Sequence, residues 1–338
     1  MNYFSFLTVA LGTLMVLTSC KEKPANQSHP TEGQATDSLT TIQSAVSEST
    51  ENMTDDQYDL VALAKVIKGC EMLENFKNGV AYVQKDGEWF CIDKMGRKVE
   101  KPRVQADEEL RQKFDEATKL RGFVDKDGKW VIKPQFEFCG DFSEDLCWVT
   151  TPKSDGSIGF IDTSGKMVIP CLFDWPGEMQ PSDFHEGMCS VMVDGAHEFF
   201  TFINTNGKVT FNDLYTYQSN FSEGLAGVRK AVKITEDEDF YDFYDGYIDK
   251  TGKMVIEIDE DDMPCICWEF HDGVAKVSRT NRAWFIDKEG RKLFELDGDD
   301  FYIGDTHYFS EGLVSVTARS GQKGYFDKQG NSTFDYND

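Results

Sequence analysis

An all-β fold, built as a tandem array of about seven β-hairpin or three-stranded repeat units, is what this sequence predicts, and three observations predict it. One line of sequence recurs seven times: an aromatic, an aliphatic, an Asp, two free positions, a Gly and a basic residue. A second line, Phe, two polar residues, Gly and a short strand ending in Val, precedes it in most copies. The steps between turn residues run from 32 residues (Asp93 to Asp125) to 45 residues (Asn204 to Asp249), the period of a repeat array.

The first line reads Phe123-Val124-Asp125 with Gly128-Lys129, and Phe160-Ile161-Asp162 with Gly165-Lys166. It returns as Tyr247-Ile248-Asp249 with Gly252-Lys253 and as Phe285-Ile286-Asp287 with Gly290-Arg291. Weaker copies are Cys91-Ile92-Asp93 with Gly96-Arg97, Phe202-Ile203-Asn204 with Gly207-Lys208, and Tyr325-Phe326-Asp327 with Gly330. An Asp that closes an aliphatic strand accepts hydrogen bonds from backbone N–H groups two or three residues on, which opens a turn. The Gly supplies a positive φ that lets the chain reverse. A second apolar run follows, as in Met167-Val168-Ile169-Pro170. Its Pro cannot donate to a ladder, so it should end the strand or lie on a sheet edge.

The second line appears as Phe76…Gly79…Val83, Phe184…Gly187…Val191, Phe221…Gly224…Val228, Phe270…Gly273…Val277 and Phe309…Gly312…Val316. Phe142…Val149 carries Asp145 in place of the Gly, and Phe114-Asp115-Glu116-Ala117 is a decayed copy. Two residues after the Gly stands a small or thiol side chain, Ala81, Cys189, Ala226 or Ala275, with Cys147 in the Asp145 copy. That suits a buried position where neighbouring units approach closely. The longest step holds an insert at residues 233–241, and inserts in repeat proteins emerge on one face, often the binding face.

These lines resemble the WG-repeat proteins of bacteria, over residues 76–338. Gly122, Gly159, Gly246 and Gly324 keep the family's Gly, whereas only Trp89 holds its Trp position, with Phe90 following. The resemblance implies a binding or assembly module and carries over no catalytic residue.

Residues 1–19 are uncharged and apolar and close with Leu17-Thr18-Ser19-Cys20, which resembles a bacterial lipoprotein signal peptide. The implied product is lipidated at Cys20 and anchored to a bacterial membrane of the cell envelope, the outer membrane being the expected one. Acyl chains would hold it there through about 0.8 kcal/mol per buried methylene. Residues 20–57 are polar with almost no large apolar side chain, so they read as a disordered tether. Residues 58–75, with Leu60, Leu63, Ala64 and Ile67 at helical spacing, read as a short capping helix.

The formal net charge of −25 excludes the basic footprint that nucleic acid demands. Eight cysteines accompany Cys20, and their places at the small strand position and at the aromatic of Cys91 read as buried hydrophobic substitutes. Cys265 and Cys267 are the one close pair, with His271 the only ligand-type neighbour, too little for a metal site. His185 and His271 take the place of Ser143, Ser222 and Ser310 after the repeat Phe. No catalytic triad, metalloprotease, phosphate-loop or dinucleotide pattern is present. Three acidic runs, Glu236–Asp239, Asp259–Asp262 and Asp297–Asp300, lack calcium-loop spacing and read as solvated loops. Trp148, Trp175 and Trp268 lie outside the hairpin line and form the candidate ligand surface.

No catalytic residue, metal or cofactor is assigned. The expected role is a non-enzymatic envelope lipoprotein that presents its repeat surface to an envelope protein or glycan. The alternatives are an envelope hydrolase with paired carboxylates acting on glycans, and a purely structural protein. An open, curved ribbon is the first expectation for the array, because a helix at residues 58–75 leaves no strand to close a ring. A seven-bladed propeller is the alternative.

Overall fold

The computed structural model describes residues 57–101, 110–175, 181–194, 198–234, 241–258, 264–304 and 308–334. All belong to one compact unit, Glu51–Asp338. The leader, Cys20, the tether up to residue 56 and the acidic runs Glu236–Asp239 and Asp259–Asp262 lie outside the described residues.

One short helix, Leu60–Ile67, precedes the strands; Asp59 caps it by accepting the Ala62 N–H at 2.9 Å. It is shorter than the expected 58–75, since Met72–Leu73 already pairs as a strand with Val83 and Gln84. Among the described residues the remaining secondary structure is β, in antiparallel sheets whose strands follow one another in chain order. Residues 72–99, 138–173 and 266–297 form four-stranded sheets, and residues 111–136 a three-stranded one. Residues 188–257 form a six-stranded sheet and residues 313–327 a hairpin. The expectation of about seven separate units is therefore corrected to five sheets of three to six strands and one hairpin among the described residues. The register pair Phe200↔Tyr215 joins two units into the six-stranded sheet, and the last unit keeps only two strands.

Every copy of the Asp or Asn turn forms. Asp125 Oδ1 accepts the N–H groups of Asp127 and Lys129, both at 3.0 Å, and the Gly128 N–H bonds back to the Asp125 carbonyl at 3.0 Å. The bonds reach two and four residues on, and Asp93, Asp162, Asn204, Asp249, Asp287 and Asp327 repeat them. Gly96, Gly128, Gly165, Gly207, Gly252, Gly290 and Gly330 all have positive φ, which closes each turn without a Cβ clash. Pro134 and Pro170 lie within the strands Trp130–Phe136 and Met167–Phe173, both of which are sheet edges. Their missing N–H groups therefore cost no ladder bond.

The glycine that survives where the family's Trp is lost has a packing reason. A Cβ on Gly122, Gly159 or Gly246 would lie 2.4, 2.5 or 2.2 Å from the carbonyl oxygen of Ile132, Ile169 or Ile256 on the neighbouring edge strand. Those strands bulge beside these glycines, so their backbone crosses where a side chain would stand.

Neighbouring units are joined by one recurring set of contacts. Each repeat Phe packs on the aromatic of the preceding unit: Phe142 on Phe123 at 4.8 Å, Phe184 on Phe160 at 5.0 Å, Phe221 on Phe202 at 5.0 Å. Phe270 on Tyr247 at 4.8 Å and Phe309 on Phe285 at 5.4 Å continue the series. The small positions Ala81, Cys147, Cys189, Ala226 and Ala275 are all buried, as that close approach requires. The residue two after each Phe sits at positive φ, and in every copy but the first, where it is Asn78, it is acidic and accepts the turn Gly N–H of the next unit. Glu144 does so from Gly187, Glu186 from Gly224, Glu223 from Gly273 and Asp272 from Gly312. A Lys one residue after the turn Asp then pairs with the acid, Lys250 with Glu186 and Lys288 with Glu223, both at 2.9 Å.

The same set joins the last unit to the first. Phe76 packs on Tyr325 at 5.2 Å, Ser310 Oγ donates to the Phe76 carbonyl, the Gly79 N–H donates to Glu311 at 2.9 Å, and Lys94 pairs with Glu311 at 3.5 Å. The ring is closed, in a β-propeller arrangement, and the open ribbon is corrected. The helix is the reason the two expectations diverge. It takes the place of a closing strand: Leu63 and Ile67 share a buried cluster with Leu313 and Tyr325, and Tyr58 Oη donates to Asp327 at 3.3 Å. Gly96 packs on Ala62 of the helix, much as Gly165 packs on Ile132 and Gly207 on Ile169 of preceding edge strands.

Candidate functional site

The residues leading into four of the repeat Phe positions converge on one cleft. Ser182 precedes Phe184, Ser219 and Asn220 precede Phe221, Trp268 and Glu269 precede Phe270, and Tyr308 precedes Phe309. They line a cavity of about 500 Å³ together with Tyr217, Gln218, His271 and Lys276. A second cavity, of about 280 Å³, runs on from it past Trp175, Ser190 and Phe200. Ser182, Tyr217 and Gln218 line both, so the two are one continuous groove.

Trp268 keeps 41% exposure although it lies in the strand Ile266–His271. Its indole N–H donates to Ser278 Oγ at 2.8 Å, and the Lys276 ammonium lies 4.2 Å from its ring centre. These two contacts fix the plane of the ring. Tyr308 is 54% exposed and rests on the His271 imidazole at 4.2 Å between ring centres. Trp175 packs on Phe138 at 5.1 Å and on Trp148 at 5.6 Å. Trp148 itself is only 6% exposed and belongs to the core, so it backs Trp175 and presents no surface of its own.

The polar groups are arranged around Glu269 and Gln218. Glu269 accepts the Asn220 N–H at 3.2 Å and shares a hydrogen bond with His271 Nε2 at 3.3 Å. Burial pushes its carboxyl up, but those two bonds and the charges of His271 and His185 outweigh burial and hold it below the ordinary range. Asp183 behaves oppositely: burial raises it, His185 lowers it, the charge of Asp141 raises it, and the net direction is up. Gln218 Nε2 donates to Ser190 Oγ at 3.2 Å, and Ser190 Oγ lies 2.7 Å from Ser182 Oγ. Gln218 Oε1 and Asp183 Oδ1 are buried and find no protein partner among the described residues.

Among the candidates from sequence, Trp175 and Trp268 reach the groove and Trp148 does not. The turn residues from Asp93 and Gly96 to Asp327 and Gly330 hold their hairpins and line neither cavity. Glu269, Gln218, Tyr217, Ser182 and Tyr308 were missed. Their signal was positional, since they occupy the few places before Phe184, Phe221, Phe270 and Phe309. Among the described residues no group of three or more His, Cys, Asp or Glu side chains is placed to hold a metal ion. Asp297–Asp300 is a hairpin end in which Asp297 accepts the Asp299 N–H at 2.9 Å. Cys265 and Cys267 are both buried, and burial pushes the Cys267 thiol up, which suits the packing role.

Comparison with known proteins agrees with the lines read from the sequence. The family model described as "WG containing repeat" matches residues 70–89, 122–151, 158–195, 200–231 and 246–281. No curated protein matches the chain. Among solved structures, BamB from Moraxella catarrhalis is 12% identical, with 78% of this chain and 82% of that one covered at a TM-score of 0.37. The Dos1 propeller is 10% identical, with 77% and 68% covered at a TM-score of 0.40. Hsv2 of Kluyveromyces lactis, with its complete loop 6CD, is 8% identical, with 77% and 73% covered at 0.37. With its Phe…Gly…Val and Asp…Gly lines folded into the sheets described above, and with five stretches matched, the chain belongs to the WG-repeat family.

Proposed function

We propose that this protein is a non-enzymatic lipoprotein of the bacterial envelope that captures an envelope protein or glycan in the groove between Trp175 and Tyr308. One observation carries the reading: a continuous groove, about 280 Å³ at one end and about 500 Å³ at the other, lined by fixed aromatic rings with a few convergent polar groups. That combination is the usual make-up of a binding site. The address rests on the apolar leader and Cys20, with the polar tether giving the domain a mean reach on the order of 30 Å from the membrane.

In-cell crosslinking of the full-length protein in its native host, followed by affinity isolation, tests both parts. Reproducible partners should be lost or reduced for Cys20→Ser, which stays unanchored. They should fall about tenfold for Trp268→Ala combined with Tyr308→Ala, a loss of roughly 1.4 kcal/mol. Partners that survive the aromatic double variant unchanged would exclude the groove as the capture site.

A further inference from the structure

We infer that the groove takes an uncharged, hydroxyl-rich sugar chain, an assignment that rests on the binding reading above and narrows it. The hydrogen-bond inventory argues first. Several of the groove's donors are engaged within the protein: Trp268 Nε1 by Ser278, Tyr217 Oη by the Cys267 carbonyl, Gln218 Nε2 by Ser190, the Asn220 N–H by Glu269 and Lys276 Nζ by the Ile303 carbonyl. Open to a ligand are the partly exposed carboxylate of Glu269 as an acceptor and, with no partner among the described residues, Asn220 Nδ2 and Tyr308 Oη as donors, whereas Gln218 Oε1 is buried. Each sugar hydroxyl both donates and accepts, so a sugar chain serves the Glu269 carboxylate as well as Asn220 and Tyr308.

Charge argues second. The Lys276 ammonium already lies 4.2 Å from the Trp268 ring centre, so the ring's attraction for cations is spent, and a second cation on the open face would meet Lys276 across it. That disfavours a cationic ligand. An anionic one would face the ionised Glu269, and the one Lys or Arg lining the groove among the described residues, Lys276, lies against the Trp268 ring. An uncharged ring with apolar C–H faces suits both Trp268 and Tyr308, whose planes are set by Ser278 and His271 before any ligand arrives.

The full-length protein, purified in a detergent without sugar headgroups, is tested on an array of neutral oligosaccharides of glucose, galactose, mannose and N-acetylhexosamines. A polygalacturonate fragment and a lysine-rich peptide serve as the anionic and cationic probes. Saturable binding of a neutral oligosaccharide is expected. Tyr308→Ala and Glu269→Gln should each weaken it about tenfold, and the thermal midpoint of Tyr308→Ala should stay unchanged, because that ring is 54% exposed. Trp268→Phe should retain most of the binding if Trp268→Ala proves poorly folded. Absence of neutral-sugar binding, with the peptide or the anion bound in a Tyr308-dependent way, overturns the sugar assignment and leaves the groove as a binding site. Absence of all binding, together with crosslinked partners indifferent to Trp268 and Tyr308, overturns both.

Discussion

Single residues in this protein are constrained by space as much as by chemistry. Gly122, Gly159 and Gly246 have ordinary backbone angles, yet the neighbouring edge strand crosses within 2.2–2.5 Å of where each Cβ would stand. Gly128 is the reverse case, with open space around it and a φ of +79°. Alanine at the first three should cost about 2 kcal/mol or more, because backbone has to move. Alanine at Gly128 should cost about 1 kcal/mol, through left-handed strain alone. Urea unfolding of the four variants checks this, and equal losses at all four would mean that the crossing strand yields. The conserved-looking Gly was legible as a pattern in the sequence. Its cause was not, since the clashing atoms belong to residues eight or more positions away.

Between elements, the acid after each repeat Phe links one unit to the next. Burial raises the Glu223 carboxyl, but Lys288 and the Gly273 N–H outweigh burial and hold it below its ordinary value of 4.5. Glu186 is held down in the same way by Lys250 and the Gly224 N–H. A carboxyl with a lowered value in the folded state stabilises above its unfolded value and loses that contribution as pH falls through the folded one. Glu223→Gln should therefore lower stability by about 1 kcal/mol at neutral pH, a modest figure because the pair is partly exposed. The gap between the native chain and the variant should close as pH is lowered below 4.5. Thermal melts across pH 3–7 read it, and a gap independent of pH would remove the carboxylate from the explanation. The hairpins themselves were readable from Asp, Gly and the aliphatic alternation, because a turn is decided by residues a few places apart. The Glu186–Gly224 and Glu223–Gly273 links join separate units, so a period in the sequence announced the positions without revealing what they touch.

For the whole molecule, closure is the decisive property. Asn75 donates to the Tyr308 carbonyl at 2.6 Å and accepts the Ser315 N–H at 2.8 Å, bridging the two ends of the ring. Asn75→Ala leaves that buried N–H unmatched and should cost about 1–3 kcal/mol. Hydrogen exchange should then speed up in both Val80–Lys85 and Leu313–Thr317, since each strand belongs to the same closed set. Faster exchange in one strand alone would mean that the ends are not coupled.

By itself, the sequence determined the all-β class, the turn at each Asp and Gly, the buried small positions and the family. Each of these depends on local periodicity and on side chains that either fit a pleated, half-buried surface or do not. Only the tertiary structure decided that the array closes, that the helix Leu60–Ile67 does the work of a strand in closing it, and that Trp148 is core while Trp268 is surface. It also decided that Ser182, Gln218, Glu269 and Tyr308 share one groove. The physical reason is the same in each case. Closure and the groove are made by contacts between residues tens to hundreds of positions apart, as from Asn75 to Ser315, and no local rule of turn or strand records which unit will meet which.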